Sequence, residues 1–106
     1  MKITIKQGDT RTALRATLMG ADNSPVDLTG ASVRFVMGER RYSPIISREA
    51  VIVDAVGGQV LFTFEPGDTD KPSSYQAEFR ATFLDGRTET YPNDRYIVIE
   101  IIPSLE

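Results

Sequence analysis

The feature that most constrains this chain is a nine-residue alternation, Tyr75-Gln76-Ala77-Glu78-Phe79-Arg80-Ala81-Thr82-Phe83. Tyr75, Ala77, Phe79, Ala81 and Phe83 fall on one side, and Gln76, Glu78, Arg80 and Thr82 on the other. A period of two belongs to a pleated strand, and a helix would scatter these residues around its axis. At a rise of about 3.3 Å per residue the strand spans roughly 30 Å, the height of a small β domain. Leu84-Asp85-Gly86-Arg87 follows, where Asp-Gly supplies the positive φ angles of a tight hairpin turn. Arg87 to Tyr91 is therefore read as the return strand.

The same period recurs along the chain. Lys2 to Lys6 puts Ile3 and Ile5 on one face, and Thr12 to Met19 does the same with Leu14, Ala16 and Leu18. Ser32 to Met37 alternates through Val33, Phe35 and Met37. Ala50 to Asp54 is a β-branched run, and Val56-Gly57-Gly58-Gln59 turns it into Val60 to Phe64. Arg95 to Ile101 places Ile97, Ile99 and Ile101 inward. No stretch carries apolar residues at the three-and-four spacing of an amphipathic helix. The pattern predicts an all-β fold of about seven to eight antiparallel strands. A sandwich is preferred to a closed barrel because Val60-Leu61-Phe62 and Ile97-Val98-Ile99 are apolar on both faces. At 106 residues there is room for one core, so residues 1–103 are read as a single domain and 104–106 as a tail. Leu105-Glu106 reads as a cloning-site remnant. The segment from Gly38 to Glu49 is the longest without a strand pattern and is expected to be a loop.

Composition narrows the chemistry. The chain has no histidine, cysteine or tryptophan. Without an imidazole there is no serine triad and no side chain whose ordinary pKa lies near neutrality. Without a thiol there is no disulfide, no thiolate nucleophile and no cysteine-based zinc site. The opening Met1-Lys2-Ile3-Thr4-Ile5-Lys6 is not followed by an apolar segment, so neither a signal peptide nor a membrane-spanning helix is expected.

Several motifs invite chemical readings. Gly-Asp-Thr occurs at Gly8-Asp9-Thr10 and again at Gly67-Asp68-Thr69. A calcium loop built on Asp68 and Asp70 would need glycine at position 73 and a bidentate acid at 79, where Ser73 and Phe79 stand. Both copies are therefore read as turns in which a side-chain oxygen holds a backbone N–H. The carboxylates fall on outward strand positions such as Glu78 and Glu100 or in turns such as Asp22, Asp27, Asp85 and Asp94, with no local pair set up for acid–base work. Val56-Gly57-Gly58-Gln59 lacks the later glycine and lysine of a phosphate loop. A net charge of −3 argues against nucleic acid. Among the cations, nine are Arg and three Lys, and Arg is the cation favoured at protein interfaces.

In order along the chain stand Ile5-Lys6-Gln7-Gly8-Asp9-Thr10, Pro25-Val26-Asp27-Leu28-Thr29-Gly30-Ala31-Ser32-Val33-Arg34-Phe35, Gly58-Gln59-Val60, Pro66-Gly67-Asp68-Thr69, Tyr75-Gln76-Ala77-Glu78-Phe79, Phe83-Leu84-Asp85-Gly86 and Tyr91-Pro92-Asn93. This string resembles the N-terminal domain of the phage baseplate upper protein family, over about Ile3 to Ile101. The resemblance implies an immunoglobulin-like β-sandwich serving as an attachment module of a baseplate or tail tip. It further implies partners among other phage tail proteins, a multi-copy symmetric assembly, and a place in the virion after synthesis in the host cytoplasm.

No enzymatic activity, cofactor or metal is expected, and neither nucleic acid nor membrane is expected as a partner. The candidate partner interface is Arg40, Arg41, Tyr42 and Arg48, in the expected loop after Gly38. The alternative is a carbohydrate-binding β-sandwich, for which Tyr42, Tyr91 and Tyr96 would supply the aromatic platforms. A carboxylate-based hydrolase and a cell-surface immunoglobulin-like domain are the further rivals.

Overall fold

A computed structural model describes residues 1–39 and 43–105. It contains eight strands: β1 (Lys2–Lys6), β2 (Ala13–Thr17), β3 (Ser32–Gly38), β4 (Pro44–Asp54), β5 (Gln59–Thr63), β6 (Ser73–Thr82), β7 (Thr88–Tyr91) and β8 (Ile97–Ile102). No helix occurs among the described residues. The hydrogen-bonded order is β1-β8-β6-β3-β4-β5-β2, with β7 pairing to β6 beside β8. All neighbours are antiparallel except β1 and β8, which run parallel.

The strand at 75–83 lies at the heart of this sheet. It becomes β6, with Tyr75, Ala77, Phe79 and Ala81 buried. The turns around it are built as their residue types demand. At Asp85-Gly86 the Asp85 carboxylate accepts the Arg87 N–H and Gly86 adopts a φ of 85°. At Glu65-Pro66-Gly67-Asp68 proline sits at the second position and Gly67, with a φ of 96°, at the third, and the Asp68 N–H donates to the Glu65 carbonyl.

The expected loop from Gly38 to Glu49 is corrected: its second half is strand. β4 begins at Pro44 and runs eleven residues. Its inward positions are Ile46, Arg48, Ala50 and Ile52. The charge of Arg48 at an inward position breaks the apolar alternation, and this hides the strand in the sequence.

β4 also decides the architecture. Its first part, Pro44 to Ala50, pairs with β3, and its last part, Val51 to Asp54, pairs with β5. One strand thus serves both limbs of the sheet, and hydrogen bonding runs unbroken from β1 to β2. The result is one curled, mostly antiparallel sheet, a half-barrel. In a flat sheet β3 and β5, two places apart, would lie about 10 Å from each other. The Phe35 and Phe62 rings on those strands instead stack at 4.2 Å between centroids. Phe79 and Phe64 close on the same pair, at 5.2 Å and 6.3 Å from Phe35. This aromatic cluster is the centre of the core, and the curl exists to bury it.

Candidate functional site

Two regions hold the polar chemistry of the fold, one at each side of the aromatic core.

The first is an end of the molecule where residues 7–12 after β1, Glu39 after β3, and residues 64–72 after β5 come together. The two Gly-Asp-Thr copies belong to the first and third of these, and they dock on each other. The Gly8 N–H donates to the Thr69 carbonyl at 3.1 Å, and the buried Thr69 hydroxyl donates to the Asp9 carbonyl at 2.9 Å. The Gln7 amide adds a bond to the Asp70 carbonyl at 2.9 Å. The two turns thus meet in one clasp, Gly8 and Asp9 of the first copy bonding to Thr69 of the second.

Arg48 is built into the same end. Its guanidinium meets both carboxylate oxygens of Asp68, at 3.0 and 2.7 Å, and lies 5.0 Å from the centre of the Phe62 ring. Asp68 also accepts the Glu65 N–H at 2.7 Å. Burial pushes the Asp68 carboxyl up, but the Arg48 hydrogen bonds, the Glu65 N–H and the Arg48 charge together hold it below the usual carboxylate range. Lys71 bridges to Glu39 at 2.8 Å at the edge of the neighbouring connection. The other three interface candidates, Arg40, Arg41 and Tyr42, lie outside the described residues. Arg48 itself lies on β4, opposite Phe35 of β3.

The second region is a groove of about 650 Å³ along the open side of the half-barrel. One wall is the edge strand β2 with Arg15 and Thr17, continued by Met19 just beyond it. The other is the segment joining β7 to β8. Phe79, Tyr91 and Ile97 contribute to its floor.

That joining segment is an excursion from a single strand. β7 ends with Tyr91 opposite Phe79, and β8 starts with Ile97 opposite Ala77. Two residues along β6 are matched by six along its partner, so four extra residues stand out of the ladder as an extended bulge. Bulges of this kind re-aim side chains at sheet edges and next to sites. Tyr91 donates to Glu89 at 2.9 Å, and Asn93 donates to Glu89 at 3.0 Å and to the Thr90 carbonyl at 2.9 Å. Burial, then the bond to Glu89, raises the Tyr91 phenol well above its usual value. At the crest Arg95 pairs with Asp94 at 3.0 Å.

The residue pattern gave no sign of this groove. Asp94 reads as a turn residue, and nothing local says that the strands before and after it share one partner.

A second depression, of about 390 Å³, lies beside the bulge and has Glu78 and Asp94 in its lining. The Asp94 carboxyl is held down by its hydrogen bond to Arg95 and by the charge of that residue, the opposite of the raised pKa that a general acid requires. Among the described residues no cluster of three acidic side chains forms a metal site. Of the tyrosines, Tyr75 and Tyr91 are committed to the core, and Tyr96 is exposed on the bulge.

The family model of the BppU N-terminal domain matches residues 1–90, from the start of the chain almost to the end of β7. Among solved structures, the crystal structure of CopC from Methylosinus trichosporium OB3b has a similar fold. Its TM-score is 0.53 at 10% identity, over 98% of this chain and 88% of that one. No curated protein matches the chain.

Proposed function

Because this chain belongs to the family of the BppU N-terminal domain, we propose that it is a non-catalytic structural part of a phage baseplate, docking receptor-binding components to the tail. The family match carries the reading. Both polar regions support it, since among the described residues the bonded side chains of each chiefly hold turns and backbone. In this reading the two limbs of the half-barrel act as the two layers of an immunoglobulin-like sandwich, clamped on the Phe35 and Phe62 stack.

Docking is proposed to use the end of the molecule that carries the clasp. Arg40, Arg41 and Tyr42 would make the contacts, and Arg48, tied to Asp68, would hold the base of their segment rigid. Many copies in a symmetric assembly would add weak single contacts through multivalency. The test is incorporation into virions. Phage particles assembled with an Arg40→Glu, Arg41→Glu double variant should lack the protein in their purified tails, while the isolated variant unfolds at the same urea concentration as the parent. Normal incorporation removes those residues from the interface, and absence of the parent protein from purified virions removes the function.

A further inference from the structure

We infer that the free edge of β2 is a docking edge for an extended segment of a partner protein, one that alternates apolar residues with carboxylates and adds a strand to the open side of the half-barrel. The inference rests on the structural reading above and names the chemistry of one contact.

Three observations carry it. The first is the hydrogen-bonding phase of β2. The Leu18 N–H donates to the Gly58 carbonyl, and β2 pairs with β5 in continuous antiparallel register from Ala13 opposite Thr63 to Thr17 opposite Gln59. Alternation along an antiparallel pair then turns the N–H and C=O groups of Ala13, Arg15 and Thr17 away from β5. Among the described residues no strand lies beyond β2 in the sheet, so those groups form an unpaired ladder.

The second is the groove, which runs beside that edge. A strand added to β2 would direct every other side chain to the same face as Leu14, Ala16 and Leu18. That face opens over Phe79, Tyr91 and Ile97. The inward residues of the incoming segment are therefore apolar.

The third is charge. Arg15 stands on the outer face of β2 with no hydrogen-bond or ion-pair partner among the described residues, and the same holds for Arg11 just before the strand. Asp94, the one acid among the described residues of the groove lining, is already paired with Arg95. Cross-strand neighbours of opposite charge attract and like charges repel. The outward residue facing Arg15 is therefore Asp or Glu. A second copy of this chain is a poor occupant, because two-fold pairing of β2 with itself about its central residue would set Arg15 against Arg15. β-strand addition of this kind takes its affinity from the backbone and its specificity from alternate side chains.

The probe is a capped synthetic peptide of about seven residues alternating Glu and Val, roughly the length of an ordinary strand, with a Lys and Val peptide as its control. Amide hydrogen exchange of the full chain, followed by NMR, should show the Ala13, Arg15 and Thr17 N–H groups slowing on addition of the Glu peptide and not of the Lys peptide. Arg15→Glu should weaken the Glu peptide about tenfold, as expected when a cross-strand pair changes from attraction to repulsion, and should transfer the preference to the Lys peptide. Thr17→Pro removes an outward N–H and no bond to β5, so it should abolish peptide protection. Ala13→Pro, at the first strand position, makes the same test if Thr17→Pro fails to fold.

Unchanged exchange at the three amides overturns the inference, as does binding that survives both prolines. So does protection that appears without peptide as the concentration of the chain is raised, since that identifies a second copy as the occupant. If the peptide fails while the protein still enters virions, only this inference falls. If the peptide binds while the protein is absent from virions, only the baseplate reading falls.

Discussion

The clasp end and the groove side are built from the same kinds of residue and treat them in opposite ways. At the clasp, Asp68 meets Arg48 and the Glu65 N–H, Thr69 meets Asp9, and Gly8 meets Thr69. At the groove, Arg15 and the outer ladder of β2 face outward unmatched, and the bulge bonds chiefly to itself through Tyr91, Asn93 and Glu89. Throughout the described residues no buried side-chain nitrogen or oxygen lacks a partner. Polar side chains without a partner therefore lie where water reaches them. The contrast separates what holds the fold from what is free to meet a partner, and substitutions on the two sides should differ accordingly.

The largest expected effect is at Asp68. Asp68→Ala strips the half-buried Arg48 guanidinium of its bidentate partner and the Glu65 N–H of its acceptor. Charge-assisted bonds of this kind contribute about 1.5–3 kcal/mol each and are not additive, so a loss of about 2–3 kcal/mol in urea denaturation is expected. A loss below about 0.5 kcal/mol would show that the clasp is decoration and the comparison empty.

The same pair sets a pH dependence. The Asp68 carboxyl is held below its ordinary value in the folded chain, so the unfolded chain binds its proton first as the pH falls. The stabilisation is fully present above the ordinary carboxylate pKa of about 3.9 and is lost as the pH drops through the lowered folded value. Asp27 and Asp94 are lowered too, so the parent must be compared with Asp68→Asn, which keeps the shape and those two acids but does not titrate at 68. Between about pH 5 and pH 3 the gap in urea midpoint between parent and variant should narrow. A constant gap would mean that Asp68 acts through its hydrogen-bonding shape and not its charge.

A smaller effect is expected at Thr69. Thr69→Val keeps the volume but removes the buried hydroxyl that reaches Asp9, leaving the Asp9 carbonyl short of one bond in a part-buried contact. A loss of about 1 kcal/mol is expected by the same denaturation measurement. Together with faster amide exchange at Gly8, whose N–H donates to Thr69, this would tie the two Gly-Asp-Thr turns to one cooperative unit.

How much of this could be read in the residues follows from where each interaction lies along the chain. The β6 alternation and the Asp85-Gly86 turn are local, and they stand in the structure as the residue types dictate. Asp68 was legible as a turn residue, because its carboxylate does hold a backbone N–H three positions away. Its ion pair with Arg48 spans twenty residues and left no mark in the pattern. Arg48 even concealed its own strand, since a charged inward residue reads as loop until Asp68 and the Phe62 ring are seen beside it. The parallel partnership of β1 and β8 joins the two ends of the chain, and no local signal specifies it. The sandwich expectation and the half-barrel share their strands and their core. They differ in whether β4 continues from one limb to the other, which depends on eleven residues whose first half the alternation did not reveal.

The smallest effect is expected at Arg15, and it carries the other half of the comparison. The residue is exposed, stands on the outer face of an edge strand, and has no partner among the described residues. Removing a surface charge with no intramolecular contact changes stability by about 0.5 kcal/mol or less in either direction. Arg15→Ala should therefore leave the urea midpoint of the isolated chain almost where it was. The backbone pairing of β2 would be untouched, because alanine keeps the N–H and C=O of residue 15, which point away from β5. A large loss would mean that the Arg15 stem packs across Leu61, its cross-strand neighbour, and supports the sheet as Asp68 supports the clasp. The two regions would then be alike, and the free edge would be part of the scaffold. A negligible loss leaves Arg15 with no role inside the molecule, so that its charge, set beside an unpaired ladder, is available only to something that docks there.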